Sequence, residues 1–308
     1  MQWPKLPPKA AYLVLDNPKR RNALSFEALK SLKKQLVDLN TSSDGKLRLL
    51  PVFQDPWLKR LNDASTGSKR DYQRYGWLVD SSEWNRVRQD MPTVLVLRSE
   101  GPIFSSGHDL KEMRDMSHAK TLETFDLCAQ VMTLMRRSPA TIIGVVQGLA
   151  TAAGAQLALS TDLPIACAST QFQLPGASIG LPCTSPSTIL SRRLGNAFTY
   201  RMLALAEPMR ADQLPGGAVE TVPDPEALER RVAEMVDKLA LRTPGQPLAQ
   251  GKWAYWTQVG TPNDLDGSDG YESAAKWATR AMALHTRAID AKEGMSAFIE
   301  KRPPVWKT

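Results

Sequence analysis

Two short stretches carry residue types suited to holding a developing negative charge with backbone groups. The first is Phe104-Ser105-Ser106-Gly107-His108-Asp109-Leu110, which follows the β-rich run TVLVLR at 93–98. The second is Gly148-Leu149-Ala150-Thr151-Ala152-Ala153-Gly154-Ala155-Gln156, which follows ATIIGVVQ at 140–147. Small residues crowd the helix start in the second stretch, and small side chains let a ligand come close to the backbone. Free N–H groups at a helix N-terminus, with the positive end of its dipole, stabilise an incoming oxyanion. Small residues at a strand–helix junction serve tight packing equally well, so either stretch alone leaves both readings open. The imidazole of His108 titrates near neutral pH and has two uses, packing against a ligand or moving a proton. Asp109 reads as a loop-ordering carboxylate. Lys19, Arg20 and Arg21 are suited to phosphate groups and equally to a solvated turn.

The elements that must position these loops follow from the pattern of the chain. Residues 11–16 (AYLVLD) form a first strand, and Ser25 caps a helix over about 26–39 with Leu29, Leu32, Leu36 and Leu39 on one face. Residues 41–92 have no sustained period and read as an insertion, partly ordered by Trp57, Trp77 and Trp84. Residues 93–98 are a buried parallel strand. A helix over about 120–137 turns Leu122, Phe125, Val131, Leu134 and Met135 inward, and strands follow at 140–147, 163–167 and 171–174. This alternation predicts right-handed crossovers and a mostly parallel sheet. From about 186 onward the chain reads as helices, the clearest over about 225–241, 271–289 and 291–300.

Composition sets the outer limits. The chain has 308 residues, 42% hydrophobic and 23% charged, enough for a sizeable core. Its formal charge of +7 suits an anionic partner such as a phosphorylated cofactor, a membrane surface or nucleic acid. The basic residues are spread out, with no comb of lysines on one helix, which weighs against nucleic acid. Three cysteines, Cys128, Cys167 and Cys183, contain no CxxC pair, and His108, His118 and His285 are too scattered for a metal cluster. No apolar run reaches the roughly 18 residues a membrane span needs. The first residues show neither a signal-peptide core nor an Arg/Ser-rich presequence.

The motifs in sequence order are NPKRRNALSFEAL, VLVLRSEGPIFSSGHDLKEM, GVVQGLATAAGAQLALSTDLPIA, FQLPGASIGLP and EGMSAFIEKRPPVW. Together they resemble the crotonase superfamily, the enoyl-CoA hydratase/isomerase family. The resemblance implies an α/β crotonase (ClpP/crotonase-like) fold of repeated ββα units. Its spiral core would span 1–195, with the insertion at about 41–92, and a helical trimerisation region would span 196–308. It implies homotrimers, paired or not into hexamers, and a mitochondrial matrix location, with the cytoplasm as the alternative. The partner implied is an acyl-CoA thioester of fatty-acid metabolism, with no metal and no cofactor beyond the CoA of the substrate. The family's two oxyanion-hole N–H groups fall on His108 and Ala153. The backbone of His108, Asp109, Leu110 and Lys111 matches the stretch lining the CoA channel.

One departure stands against hydration. The family's two catalytic glutamates correspond here to Gln156 and Gly176. Glutamine is a poor base and glycine offers no group, while each positioned acid or base contributes about 10²–10⁴ in rate. Ser178, Cys183, Thr184 and Ser185 are candidate replacements in or just after the same loop. Three readings follow. The first is an acyl-CoA enzyme with atypical acid–base groups. The second is a non-catalytic acyl-CoA binder or regulatory protein, and the third an RNA-binding relative.

Overall fold

The computed structural model describes residues 3–181, 183–260 and 289–308. The helix expected over about 271–289 lies almost wholly outside them, as does His285. The chain divides into two compact units.

The first unit comprises Met1–Leu39, Val94–Arg136 and Thr141–Asp237. Its main sheet has five strands in the order β1-β2-β3-β5-β8, all parallel: β1 (Ala10–Leu15), β2 (Val94–Ser99), β3 (Thr141–Val146), β5 (Leu163–Cys167) and β8 (Glu220–Val222). Every residue of β2 and β3 is buried, as a parallel strand covered on both faces requires. A smaller sheet joins β4 (Leu149–Thr151), β6 (Gln171–Gln173) and β7 (Met209–Arg210), with β6 and β7 antiparallel. Helix α1 (Phe26–Leu39) buries Leu29, Leu32 and Leu36, and the Ser25 hydroxyl accepts from the Ala28 N–H as its cap.

Two expectations about this unit are corrected. Helix α6 (His118–Arg137) buries Thr124, Leu127, Cys128, Val131 and Met135, while Leu122 is 63% exposed. The inner face runs through a threonine and a cysteine that look polar in sequence. The Thr124 hydroxyl donates to the Lys120 carbonyl at 2.8 Å, so it enters the core satisfied. Beyond residue 186 the chain is not all helix. After α8 (Thr184–Leu194) and α9 (Asn196–Leu205) it adds β7, and it extends the main sheet with β8 before α10 (Pro225–Leu241). Strands of two and three residues are too short to show a period.

The second unit comprises Asn40–Thr93, Arg137–Ala140 and Lys238–Thr308. The stretch with no visible period holds three helices, α2 (Pro56–Ser65), α3 (Lys69–Val79) and α4 (Ser81–Arg88). Ser68 and Asp80 cap α3 and α4, their side chains accepting from the N–H groups of Asp71 and Glu83. With α11 (Gly245–Val259) they enclose a core of Leu50, Leu58, Leu61, Trp77, Leu78, Trp84 and Trp253. Trp77 and Trp84 stack at 5.9 Å between centroids and 23° between planes. Gln250 donates to the Leu78 carbonyl at 2.6 Å, and the Trp253 indole donates to that of Val52 at 3.3 Å. The final helix, α12 (Ile289–Glu300), receives the chain end. Its Asp290 carboxylate accepts from the N–H groups of Lys307 and Thr308, and Glu293 pairs with Arg302 at 2.6 Å.

The tryptophan core is the main apolar content of the 41–92 segment. Trp77→Ala is expected to destabilise the protein by about 3–5 kcal/mol. The measurement is the shift in the chemical-denaturation midpoint followed by circular dichroism. The half-buried Trp57, truncated in the same way, is expected to cost less.

Candidate active site

The two loops singled out from sequence lie side by side. Ser105 N–H donates to the Leu149 carbonyl at 3.2 Å, and Thr151 N–H donates to the Ser105 carbonyl at 3.0 Å. Two glycines permit this approach. A Cβ on Gly107, whose φ is +81°, would stand 2.8 Å from the Thr151 oxygen and 3.4 Å from the Ala153 nitrogen. A Cβ on Gly154 would stand 2.6 Å from the Ser105 oxygen. Any side chain at either position forces the loops apart.

The other flank of the first loop is held by Asn22, which is 1% exposed and sits at φ 50°. Its amide donates to the carbonyls of Glu100 (2.7 Å) and Ile103 (2.8 Å), and its Oδ1 accepts from the Asn17 N–H at 2.9 Å. The Ser105 hydroxyl donates to the Asn22 carbonyl at 2.8 Å, and Leu24 N–H donates to that of Gly107 at 2.8 Å. Asparagine tolerates this left-handed backbone better than most residues, so Asn22 satisfies the turn and the loop together.

These supports do not engage the backbone N–H groups of His108 and Ala153. Ala153 opens the short helix α7 (Ala153–Leu159) behind Ala152, whose φ is 51° and ψ −122°. No described residue accepts from the N–H of Ala153 or of His108. Both residues line a cavity of about 520 Å³. Its wall continues through Leu110, Met113 and Phe125 to Gly176, Leu181, Cys183, Ser185 and Pro186. Among the described residues, the titratable side chains in that wall are His108 and Cys183.

His108 Nδ1 lies 3.2 Å from the Leu24 carbonyl, which accepts, so Nδ1 carries the proton and Nε2 is left as an acceptor. Nε2 is buried with no partner among the described residues. The ring stands edge-on to Phe125 at 5.0 Å and 87°. Burial lowers the His108 pKa against the raising effect of the Leu24 hydrogen bond, which keeps the imidazole neutral. Burial pushes the Cys183 thiol up, away from thiolate.

The other sequence candidates divide. Gln156 is buried in α7 and outside the cavity wall, and its Oε1 accepts from the Ser185 hydroxyl at 3.3 Å. Gly176 is in the wall, but a Cβ there would stand 2.0 Å from the Leu181 oxygen and 2.8 Å from Cys183 Sγ. Leu181 and Cys183 therefore occupy the space a side chain at 176 would need. Thr184 and Ser185 line the cavity, while Ser178 is exposed outside its wall. Leu110 lines it too, whereas Asp109 and Lys111 do not. Asp109 caps the helix α5 (Leu110–Arg114), accepting from the Glu112 N–H, and pairs with Arg20 at 2.5 Å. Lys19 is exposed, and the Arg21 carbonyl accepts from the Ser106 N–H. The basic triplet was legible, but its neighbour Asn22, which anchors the loop, was not. A lone asparagine in a turn gives no sign of which distant carbonyls it will meet. The bond of the Ser105 hydroxyl to Asn22 and the contact of Phe125 with His108 are hidden in the sequence for the same reason.

Residues 82–308 match the family model described as Enoyl-CoA hydratase/isomerase. The chain belongs to that family and has its crotonase fold. Among curated relatives, mouse "Enoyl-CoA hydratase domain-containing protein 3, mitochondrial" is 33% identical over 302 residues, covering 96% of this chain and 80% of the relative. The crystal structure of the human protein of that name is 30% identical with a TM-score of 0.71, covering 97% of both chains. An enoyl-CoA hydratase structure from Mycobacterium smegmatis is 31% identical with a TM-score of 0.70, covering 96% of this chain and 95% of that one.

Asn22→Ala removes three buried hydrogen bonds and is expected to cost about 2–4 kcal/mol in unfolding free energy, measured by denaturant titration. His108 yields a pH prediction. Its folded pKa is below the unfolded value of about 6.5, so the unfolded chain binds the extra proton first. Its neutral burial costs no stability above about pH 6.5, and stability falls as pH drops below that towards the folded pKa. The melting temperature of the wild type should fall more between pH 7 and pH 5 than that of His108→Leu.

Proposed function

We propose that this protein binds an acyl-CoA thioester of lipid metabolism and stabilises the charge that develops on its carbonyl oxygen with the N–H groups of His108 and Ala153. One observation carries the reading. These two donors lack acceptors among the described residues, stand on loops that Gly107 and Gly154 keep in contact, and line one largely apolar cavity. Deprotonating a thioester at its α-carbon, or attacking its enoyl form at the β-carbon, places negative charge on that oxygen. Each preorganised donor aimed at such an oxyanion is worth about 10²–10³ in rate.

The proton chemistry differs from the two-carboxylate route. The cavity wall carries no carboxylate among the described residues, Gln156 is engaged with Ser185, and the space at Gly176 is filled. The base we assign is His108 Nε2, a neutral acceptor with no partner. Backbone and side chain of one residue then have separate duties, the N–H holding the oxygen and the imidazole receiving the proton.

The closure over Gly176 favours a second reading, a non-catalytic acyl-CoA binder or regulatory protein. The names of the relatives support a mitochondrial matrix location. The family resemblance supports assembly as a homotrimer or hexamer, which light scattering on the purified chain would test.

The test uses the separation of duties. Calorimetry with acetoacetyl-CoA is expected to give saturable binding to the wild type and to His108→Ala alike, because the backbone N–H survives the substitution. Loss of the conjugated thioester absorbance of 2-enoyl-CoAs should fall by about 10²–10⁴ in His108→Ala. In the wild type it should rise with pH to a plateau, through a pKa below about 6.5. Binding without turnover in the wild type selects the second reading. Absence of CoA-ester binding overturns both.

A further inference from the structure

The second unit contains a cavity of about 710 Å³ that no step above uses. Its wall includes Lys46, Arg48, Arg70, Arg74 and Arg137, and no Asp or Glu among the described residues. The volume falls in the range of small-molecule sites, and a concentration of cations without lining carboxylates is costly unless something anionic offsets it.

The charges differ in their present engagement. Arg48 is largely satisfied, with Nη2 on Asp44 at 2.6 Å and Nε on the Ser42 hydroxyl at 3.0 Å. Lys46 reaches the same Asp44 at 3.8 Å. Arg137 gives its Nε to the Leu50 carbonyl at 2.9 Å, which leaves the terminal nitrogens of its half-buried guanidinium. Burial lowers its pKa, a sign that its charge is poorly compensated there. Arg70 and Arg74 lie one turn apart on α3, and neither has a carboxylate partner among the described residues. Like charges at this spacing weaken a helix. The Arg74 guanidinium lies 5.8 Å from the Trp57 ring centre and 5.5 Å from that of Tyr75. Aromatic faces thus hold it in place without neutralising it.

We propose that this cavity binds a phosphorylated small molecule bearing at least two anionic groups, gripped by Arg70, Arg74 and Arg137. Guanidinium forks match phosphate oxygens in pairs and bind them more specifically than ammonium groups do. Three such forks on one concave wall fit a pyrophosphate-like group better than a single carboxylate. The assignment does not depend on the thioester reading, since the two cavities share no lining residue. A free nucleotide and the phosphates of CoA offer the same chemistry, and the experiment separates them.

The full-length protein is titrated calorimetrically with pyrophosphate, ATP, free CoA and dephospho-CoA at constant ionic strength, which fixes the screening. Pyrophosphate is expected to bind saturably, and the double variant Arg70→Ala/Arg74→Ala to weaken it about tenfold or more. Arg74→Lys, which keeps the charge but loses the fork, should fall between. Both arginines are exposed, and an unchanged melting temperature of each variant verifies the fold. ATP binding that is sensitive to the double variant identifies a free nucleotide. CoA binding that is sensitive to it, and stronger than that of dephospho-CoA, identifies CoA phosphates. No saturable binding beyond a chloride control, or pyrophosphate binding that both variants leave unchanged, overturns the proposal.

Discussion

The site depends on one constraint, the contact between two backbone loops that have no room for side chains. The Ser105 carbonyl and N–H both bond to the 149–151 strand, while Gly107 and Gly154 fill the points where a Cβ would collide with backbone. Backbone groups are the donors, so their placement is set by chain geometry and not by rotamers. Asn22 completes the arrangement by bonding two carbonyls of the 100–103 turn and receiving the Ser105 hydroxyl on its own carbonyl. The parallel strands β2 and β3 deliver both loops to one end of the sheet, where chain ends leaving parallel strands gather.

The electrostatics around that contact are set by a largely apolar lining. A carboxylate buried in such a largely apolar wall is costly, and the described lining residues include none. In its place stands a neutral imidazole whose tautomer is fixed by the Leu24 carbonyl. The position that would admit a second acid is closed by the Leu181 carbonyl. Shape and charge therefore agree. The cavity is largely apolar, and His108 and Ala153 bring two backbone N–H donors and one imidazole acceptor to its wall.

Legibility in the sequence varied with the physical source of each feature. Strands β1, β2 and β3 and helix α1 announced themselves through unbroken apolar runs or a clean helical stripe. The inner face of α6 was misread, because Thr124 and Cys128 enter the core by satisfying or lacking strong polar demands. The 41–92 segment looked patternless, since its helices are short and their burial rests on widely spaced tryptophans that meet α11 far along the chain. β8 was invisible because its three residues owe their strand form to pairing with β5.

The sequence by itself determined the α/β class, the family, the two loops and the presence of an amide and a glycine at Gln156 and Gly176. These are properties of residue type and order, and they survive without coordinates. The tertiary structure alone decided that Asn22 anchors the first loop, that His108 Nε2 is left without a partner among the described residues, and that the space beside Gly176 is taken. It also decided that Arg70, Arg74 and Arg137 share one cavity wall. Each of these depends on groups distant in sequence being brought within a few ångströms, and whether a polar atom is satisfied or left over is known only when all its neighbours are in place.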